Sequence, residues 1–156
     1  DVKNSQHFKE SDTLSAGNNI TVFDTKWGKM GLCICYDFRF PELARLMVDL
    51  GAKIILVPAA FNMTTGPLHW ELLFQSRAVD NQVFTIGTAP ARNLNASYHS
   101  YGHSIIVSPW GKILNQADFE ETALVTTINL NEINLVREQI PLLRHRRLDI
   151  YELTQK

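Results

Sequence analysis

The sequence is poor in cysteine and lacks long hydrophobic runs. Its 156 residues include two cysteines, Cys33 and Cys35, and a disulfide between residues only two apart would need strained geometry. Metal sites usually use other spacings and further ligands, so this pair does not indicate a metal centre. No apolar run approaches the roughly 20 residues of a membrane span, and the first residues lack the pattern of a signal peptide. We therefore expect free thiols in a reducing compartment, the cytoplasm or the mitochondrial matrix, and no membrane partner.

An excess of charge of one sign is also missing. The net charge at pH 7 is −1, so the composition predicts no nucleic-acid partner. Hydrophobic residues make up 45% and charged residues 20% of the chain, as in ordinary globular proteins. No internal repeat or linker divides residues 1–156, which we interpret as a single domain. Because the chain opens at Asp1 and not at Met, we expect the N-terminal part of that domain to be missing.

The hydrophobic pattern predicts a mixed α/β fold. Short apolar runs between turn signals predict strands, and apolar residues at helical spacing predict helices. The strands are expected at 20–25, 29–35, 53–60, 83–89, 103–109, 112–117 and 122–130, and the helices at 41–50, 69–82 and 131–140. Strands and helices alternate only in the middle of the chain, with hairpins at Gly28 and Gly111. This order favours a mixed sheet over a purely parallel one.

The segment 29–43 contains the best candidate for chemistry. Its apolar half ends at Cys35, and Pro41 suits the first position of a helix because it has no N–H to satisfy. Cys35 is therefore predicted to lie where a strand ends, beside backbone N–H groups that are free to face an anion. Such a thiol could be a nucleophile with an oxyanion site next to it. The alternative is a small buried hydrophobe, which is what we predict for Cys33.

Three separated stretches carry a resemblance to a known family. GLCICYDFRFPEL resembles the nucleophile segment of the carbon–nitrogen hydrolases, the nitrilase superfamily. The stretches PAAFNMTTGPLHWELLFQSRAVDNQ and TAPARNLNASYHSYGHSIIVSPWGKIL resemble its omega-amidase branch. The resemblance runs from about Phe8 to Tyr151. It implies a four-layer αββα sandwich, a Glu-Lys-Cys catalytic set, amide hydrolysis through a thioester without cofactor or metal, and a homo-oligomer, a dimer or larger.

The resemblance also implies roles for individual residues. Cys35 would be the nucleophile, the Tyr36 N–H would stabilise the oxyanion, and Glu10 matches the family's second glutamate, which helps to hold the lysine and the substrate. The family's base and lysine have no match here and would precede Asp1, so we expect residues 1–156 alone to be inactive. The candidates for substrate contact are Phe61, Asn62, Thr64, Thr65, Trp70 and Arg92. Of these, Thr64, Thr65 and Arg92 are candidates for holding a carboxylate, a task that suits the planar fork of arginine.

Several alternatives stay open at the level of the residues. A Cys–His pair is the competing enzyme model, and its candidate bases are His69, His99 and His103. Asp37 and Arg39 could form an ion pair. A polar network tying a helix to a loop is expected from Arg77, Asp80 and Asn81.

The predicted reaction removes the terminal amide of a small 2-oxo dicarboxylic acid monoamide and releases ammonia. Alternatives within the class are an amidase acting on deaminated glutathione and a true nitrilase. An alternative from another class is a catalytically inactive relative used for binding or assembly.

Overall fold

Six strands lie side by side in chain order in the computed structural model, which describes residues 10–155. The strands are β1 (Thr21–Thr25), β2 (Gly28–Leu32), β3 (Ile54–Pro58), β4 (Phe84–Thr88), β5 (Ile105–Val107) and β6 (Ile113–Gln116). The helices are α1 (Pro41–Asp49), α2 (Gly66–Asn81) and α3 (Asn131–Gln139), and 3₁₀ turns span Glu10–Asp12 and Cys35–Arg39. Within the described residues, no helix is both long and apolar enough to cross a membrane.

The sheet is mixed. Strands β2, β3 and β4 run parallel, with helices α1 and α2 as the crossovers between them, whereas β1, β5 and β6 join through antiparallel pairs. The predicted α/β class with a mixed sheet is therefore confirmed. Of the two sheets in a four-layer αββα sandwich, residues 10–155 form one.

Two hydrophobic clusters lie on opposite faces of the sheet, because side chains alternate along each strand. On β3, Ile55 belongs to the face covered by α1 and α2, while Ile54 lies on the other face with Phe84 and with Ile133 of α3. The first cluster is the larger one. Its bulkiest fully buried side chains are Trp70, Phe38, Phe74 and Met47.

The expectation of a strand at 122–130 is wrong. The structure has no regular secondary structure there, although the β-branched residues of this segment favour an extended chain. The side chain of Asn115 on β6 donates to Thr126 Oγ1 (3.0 Å) and to the Val125 carbonyl (3.3 Å). Side-chain hydrogen bonds thus replace the backbone ladder that a strand needs. A residue's intrinsic β-propensity favours an extended chain but does not provide a neighbouring strand to pair with.

Several element boundaries differ from the expectation, for example at α2 and β2. Helix α2 begins at Gly66 rather than at 69, and Pro67 is tolerated in its first turn. Strand β2 ends at Leu32, although the Cys33 N–H still donates to the Leu56 carbonyl at 3.2 Å. At the start of α3, Asn129 Oδ1 accepts from the Asn131 N–H (3.0 Å).

Helix α2 packs closely on β4 at Gly87. A Cβ atom added at Gly87 would lie 2.4 Å from Cζ of Phe74, a ring that is fully buried. The Phe74 ring also contacts the rings of Phe38 and Trp70, each with centroids 4.7 Å away. One aromatic side chain therefore joins the sheet, helix α2 and the turn that follows Cys35.

We predict that Gly87→Ala destabilises the protein by about 1–3 kcal/mol, because the added methyl group has to displace the Phe74 ring from a filled core. Urea unfolding of the full-length protein should show a lower midpoint with an unchanged slope. Gly17→Ala is the matched control, since an added Cβ there meets nothing within 4 Å. Equal midpoints for the two variants would contradict the packing argument.

Candidate active site

Cys35 opens a tight 3₁₀ turn at the exit of β2, as the sequence predicts. The turn spans Cys35–Arg39 and is closed by hydrogen bonds from the Asp37 N–H to the Ile34 carbonyl and from the Phe40 N–H to the Asp37 carbonyl, both 3.1 Å. Cys35 itself has φ = +48°. Positive φ is uncommon for a residue with a Cβ and persists only where the surroundings hold it. The turn therefore lifts the half-buried Cys35 out of the sheet in a conformation that its neighbours must enforce.

The two cysteines lie in contrasting environments. Cys33 is 5% exposed, and its burial, assisted by the nearby Asp37 carboxylate, raises the pKa of the Cys33 thiol to about 12. A thiol with such a pKa stays protonated at neutral pH and is a poor nucleophile. Cys35 is less buried and follows the last ladder position of the strand. The structure thus supports the expectation that Cys33 is inert.

Within the described residues, the backbone N–H of Tyr36 is free to bind an anion. In the part of the chain that the structure describes, no acceptor is bonded to it. The Tyr36 ring is exposed and packs edge-on against Phe40 with centroids 5.6 Å apart. An N–H donor directly after the thiol is a candidate for stabilising a developing oxyanion.

Arg39 brings a cation to the same turn. Its Nη1 lies 3.0 Å from Nδ1 of His69, and its Cζ lies 4.5 Å from the centroid of the Phe61 ring. A guanidinium can only donate, so His69 accepts through Nδ1 and carries its proton on Nε2. Among the described residues, Arg39 forms no ion pair with Asp37, so the pair considered from the sequence does not form.

The described contacts give no support to a Cys–His pair. His69 is bonded to Arg39, His99 Nε2 lies 3.2 Å from the Leu94 carbonyl, and His103 Nδ1 lies 2.7 Å from the Tyr101 carbonyl. Within residues 10–155, none of these imidazoles is hydrogen-bonded to Cys35. A histidine base would have to be within hydrogen-bond reach of the thiol.

The loop before α2 is organised by Asn62. Its Oδ1 accepts from the N–H groups of Thr64 (3.0 Å) and Thr65 (2.8 Å) and from Thr65 Oγ1 (3.1 Å). Asn62 and Thr65 are thereby engaged in shaping the loop, while Thr64 is exposed. The two threonines remain predicted carboxylate contacts, presented by a loop that the Asn62 side chain holds in place.

Two of the other predicted pocket residues are aromatic. Phe61 is 4% exposed and packs edge-on against Trp70 with centroids 5.1 Å apart. Trp70 is fully buried, and its Nε1–H donates to the His103 carbonyl at 2.6 Å. Trp70 therefore supports Phe61 from within the core, and Phe61 is the member of the pair that faces the Arg39 guanidinium.

Arg92 is committed to its own loop. Its Nε donates to the Ser100 carbonyl (3.0 Å) and its Nη2 to the Tyr101 carbonyl (2.9 Å). Its Cζ lies 4.4 Å from the Phe119 ring centroid. These contacts make Arg92 a brace for the segment 90–101 in this structure. Binding a substrate carboxylate would have to use the donors that remain.

The polar network expected from Arg77, Asp80 and Asn81 is present. The sequence did not indicate that this network also contacts the backbone of Arg39. Arg77 Nη2 donates to the Arg39 carbonyl at 2.9 Å, and Asn81 Nδ2 donates to the Arg77 carbonyl at 2.9 Å. The acceptor on Arg39 belongs to the Cys35–Arg39 turn. No motif signals this contact, because backbone carbonyls have no sequence signature.

Two further expectations for the site concern Glu10 and metal binding. The backbone of Glu10 starts the turn Glu10–Asp12, but its side chain lies outside what the structure describes, so its role stays a prediction. Across residues 10–155, no group of three His, Cys, Asp or Glu side chains is arranged to hold a metal ion.

Comparisons with known proteins agree on one family. The family model for carbon-nitrogen hydrolase matches residues 2–138. The chain is 50% identical over 156 residues to omega-amidase NIT2-A of Xenopus laevis. The aligned region covers 100% of this chain and 56% of that protein. The crystal structure of Saccharomyces cerevisiae Nit3, a member of branch 10 of the nitrilase superfamily, matches with a TM-score of 0.85 and 52% identity over 88% of this chain and 51% of that chain.

A second solved structure, the C. elegans NitFhit protein, matches with a TM-score of 0.90 and 36% identity over 98% of this chain and 37% of that chain. The chain spans about half the length of the omega-amidase and the Nit3 chain described above.

We predict that limiting iodoacetamide modifies Cys35 before Cys33 in the native full-length protein. Between pH 7 and pH 9, Cys33 keeps its proton because its pKa is near 12, so its alkylation should become fast only as the pH approaches that value. Peptide mapping after short exposures measures both rates. In urea, which removes the burial, the two thiols should react alike. Preferential labelling of Cys33 in the folded protein would refute the assignment.

Proposed function

The chain belongs to the carbon–nitrogen hydrolase family, and on that premise we propose that the full-length protein is an amidase with Cys35 as its nucleophile. The observation that carries the proposal is the geometry of the Cys35 turn. A half-buried thiol lies at a strand exit with φ = +48°, and the Tyr36 N–H behind it has no acceptor within the described residues. A nucleophile and an oxyanion donor are thus adjacent.

In the proposed reaction, a base removes the Cys35 proton and the thiolate attacks the amide carbonyl carbon. The Tyr36 N–H stabilises the oxyanion, the C–N bond breaks, and the nitrogen takes up a proton and leaves as ammonia. A thioester remains on Cys35. Water then attacks the thioester, which releases the carboxylic acid and returns the thiol. The base glutamate and the oxyanion lysine that the resemblance implies would precede Asp1, so inactivity of residues 1–156 alone remains part of the proposal.

For the substrate, we propose the terminal amide of a small 2-oxo dicarboxylic acid monoamide. The relatives of this chain that are called omega-amidases support this class. So does the presence of an arginine on the nucleophile turn, since the distal end of such a substrate is a carboxylate. Carboxylate recognition typically uses the paired N–H donors of a guanidinium.

Arg39 is better placed for this task than Arg92. Its side chain has five N–H donors, and one hydrogen bond, to His69, engages it within the described chain. The flat Phe61 ring beneath the guanidinium restricts its orientation. Two N–H groups of Arg92 already donate to backbone carbonyls. We therefore add Arg39 to the predicted substrate contacts and retain Arg92, Thr64 and Thr65 as the contacts expected from the sequence.

We also propose an oligomeric state and a cellular compartment for the full-length protein. We propose a homo-oligomer, a dimer or larger, which is supported by apolar side chains exposed on and beside α2, Leu68, Leu72 and Trp110. A reducing compartment, the cytoplasm or the mitochondrial matrix, is supported by the two free thiols.

The proposed function predicts that the full-length protein releases ammonia from 2-oxoglutaramate and that Cys35→Ala abolishes this release. Cys33→Ala is the matched control, because Cys33 lies two residues away and its protonated thiol takes no part in the chemistry. It should retain turnover at equal folded concentration. Activity in Cys35→Ala would reject the nucleophile. A wild-type protein that hydrolyses no amide would favour the inactive relative used for binding.

We predict that Arg39→Gln lowers kcat/KM for 2-oxoglutaramate by roughly 10- to 100-fold, as expected for the loss of about 1.5–3 kcal/mol in a charge-assisted contact. For a neutral amide of equal size, kcat/KM should change little, because that substrate has no charge for Arg39 to meet. The comparison variant is Arg92→Gln, in which equal losses for both substrates would indicate a loop brace, whereas a loss confined to 2-oxoglutaramate would assign the carboxylate to Arg92 instead. Equal losses for both substrates in Arg39→Gln would contradict carboxylate recognition by Arg39.

A further inference from the structure

Helix α2 holds the nucleophile turn at three points along its length. Near its start, His69 bonds the Arg39 side chain at 3.0 Å. In its middle, the Phe74 ring packs against Phe38 with centroids 4.7 Å apart. One turn later, Arg77 Nη2 donates to the Arg39 carbonyl at 2.9 Å. The third contact is the one that holds the backbone of the turn directly.

Arg77 is an unusual residue to find in this position. It is 7% exposed, its acidic partner Asp80 lies 3.7 Å away with a side chain 51% exposed, and its buried Nε has no acceptor among the described residues. Burial lowers the pKa of the guanidinium, and the Asp80 carboxylate opposes that shift. Arginine stays charged in proteins, so the helix buries a charge with weak compensation.

Stability alone does not account for such an arrangement. Apolar side chains of similar volume often replace buried charges at no loss of stability, and sometimes with a gain. Leu or Met at this position could not donate to the Arg39 carbonyl. The contact that only a long cationic or polar donor can make is therefore the feature that distinguishes Arg77.

Arg77 contacts the backbone of the Cys35–Arg39 turn, which contains a residue in a strained conformation. Cys35 has φ = +48°, and a strained residue keeps such a conformation only when its surroundings determine it. The Arg39 carbonyl is at the far end of the same five-residue turn. Fixing that end limits the movement of the thiol and of the Tyr36 N–H between β2 and α1.

We propose that Arg77 is a positioning residue of the amidase site, which fixes the Cys35–Arg39 turn through the Arg39 carbonyl. The inference rests on the proposed function. Arg77 touches no substrate and acts through the backbone, so its loss should misplace the thiol and the oxyanion donor while leaving the protein folded. Small misplacements of reacting groups can cost up to about 100-fold in rate.

The test measures kcat and KM of the full-length protein for 2-oxoglutaramate in Arg77→Met, Arg77→Lys and Asp80→Asn. Arg77→Met should lower kcat roughly 10- to 100-fold with a smaller change in KM. Arg77→Lys, which keeps a donor and a charge, should recover part of that loss. Asp80→Asn removes the acidic partner but leaves the bond to Arg39 and should keep kcat near the wild-type value. Urea unfolding midpoints establish equal folded fractions.

A wild-type kcat in Arg77→Met, or a loss that follows the folded fraction alone, would overturn the inference. Should Arg77→Met fail to fold, Arg77→Leu, which also lacks a donor, is assayed in its place, and a folded Leu variant with wild-type kcat would equally overturn the inference. Cys35→Ala is assayed in parallel. If it is inactive while Arg77→Met is fully active, only the role of Arg77 fails, whereas an active Cys35→Ala rejects the proposed function and the inference with it.

Discussion

The packing of helix α2 against the sheet is the interaction on which the rest of the structure depends. Phe74 fills the space above Gly87 of β4, where a methyl group would lie 2.4 Å from the ring, and it also contacts Phe38 in the Cys35–Arg39 turn. Because protein cores are close-packed, this contact sets the height of α2 above the sheet. The position of every α2 side chain that reaches the Cys35 turn follows from that height.

The Cys35–Arg39 turn illustrates how the fold supports local strain. Cys35 is held at φ = +48° between β2 and α1, with hydrogen bonds inside the turn and contacts from α2 outside it. Such strain is typical of functional sites, where it presents a side chain that relaxed backbone would turn away. The neighbouring Cys33 is relaxed and buried, and its raised pKa keeps the thiol inert. Cys33 and Cys35 therefore lie in different environments, although only one residue separates them along the chain.

Much of the fold could be predicted from the sequence because its signals are local. The apolar runs that became β1 to β6, the Gly28 hairpin and the helix after Pro41 depend on side-chain period and turn chemistry. The segment 122–130 shows the limit of that reasoning. Its β-branched residues favour an extended chain, but whether a strand forms depends on a partner, and Asn115 satisfies Val125 and Thr126 through its side chain.

The sequence by itself determined the family, the mixed sheet and the place of Cys35 at a strand exit, since motif and periodicity are properties of neighbouring residues. Only the tertiary structure decided how Arg39, Arg77 and Arg92 are used. Arg92 braces its own loop, Arg39 lies over Phe61, and Arg77 holds the Arg39 carbonyl from 38 positions away. These roles depend on which backbone carbonyl or ring comes within about 3–5 Å in space. That proximity is set by the packing of α2 on the sheet, and the order of residues along the chain does not encode it locally.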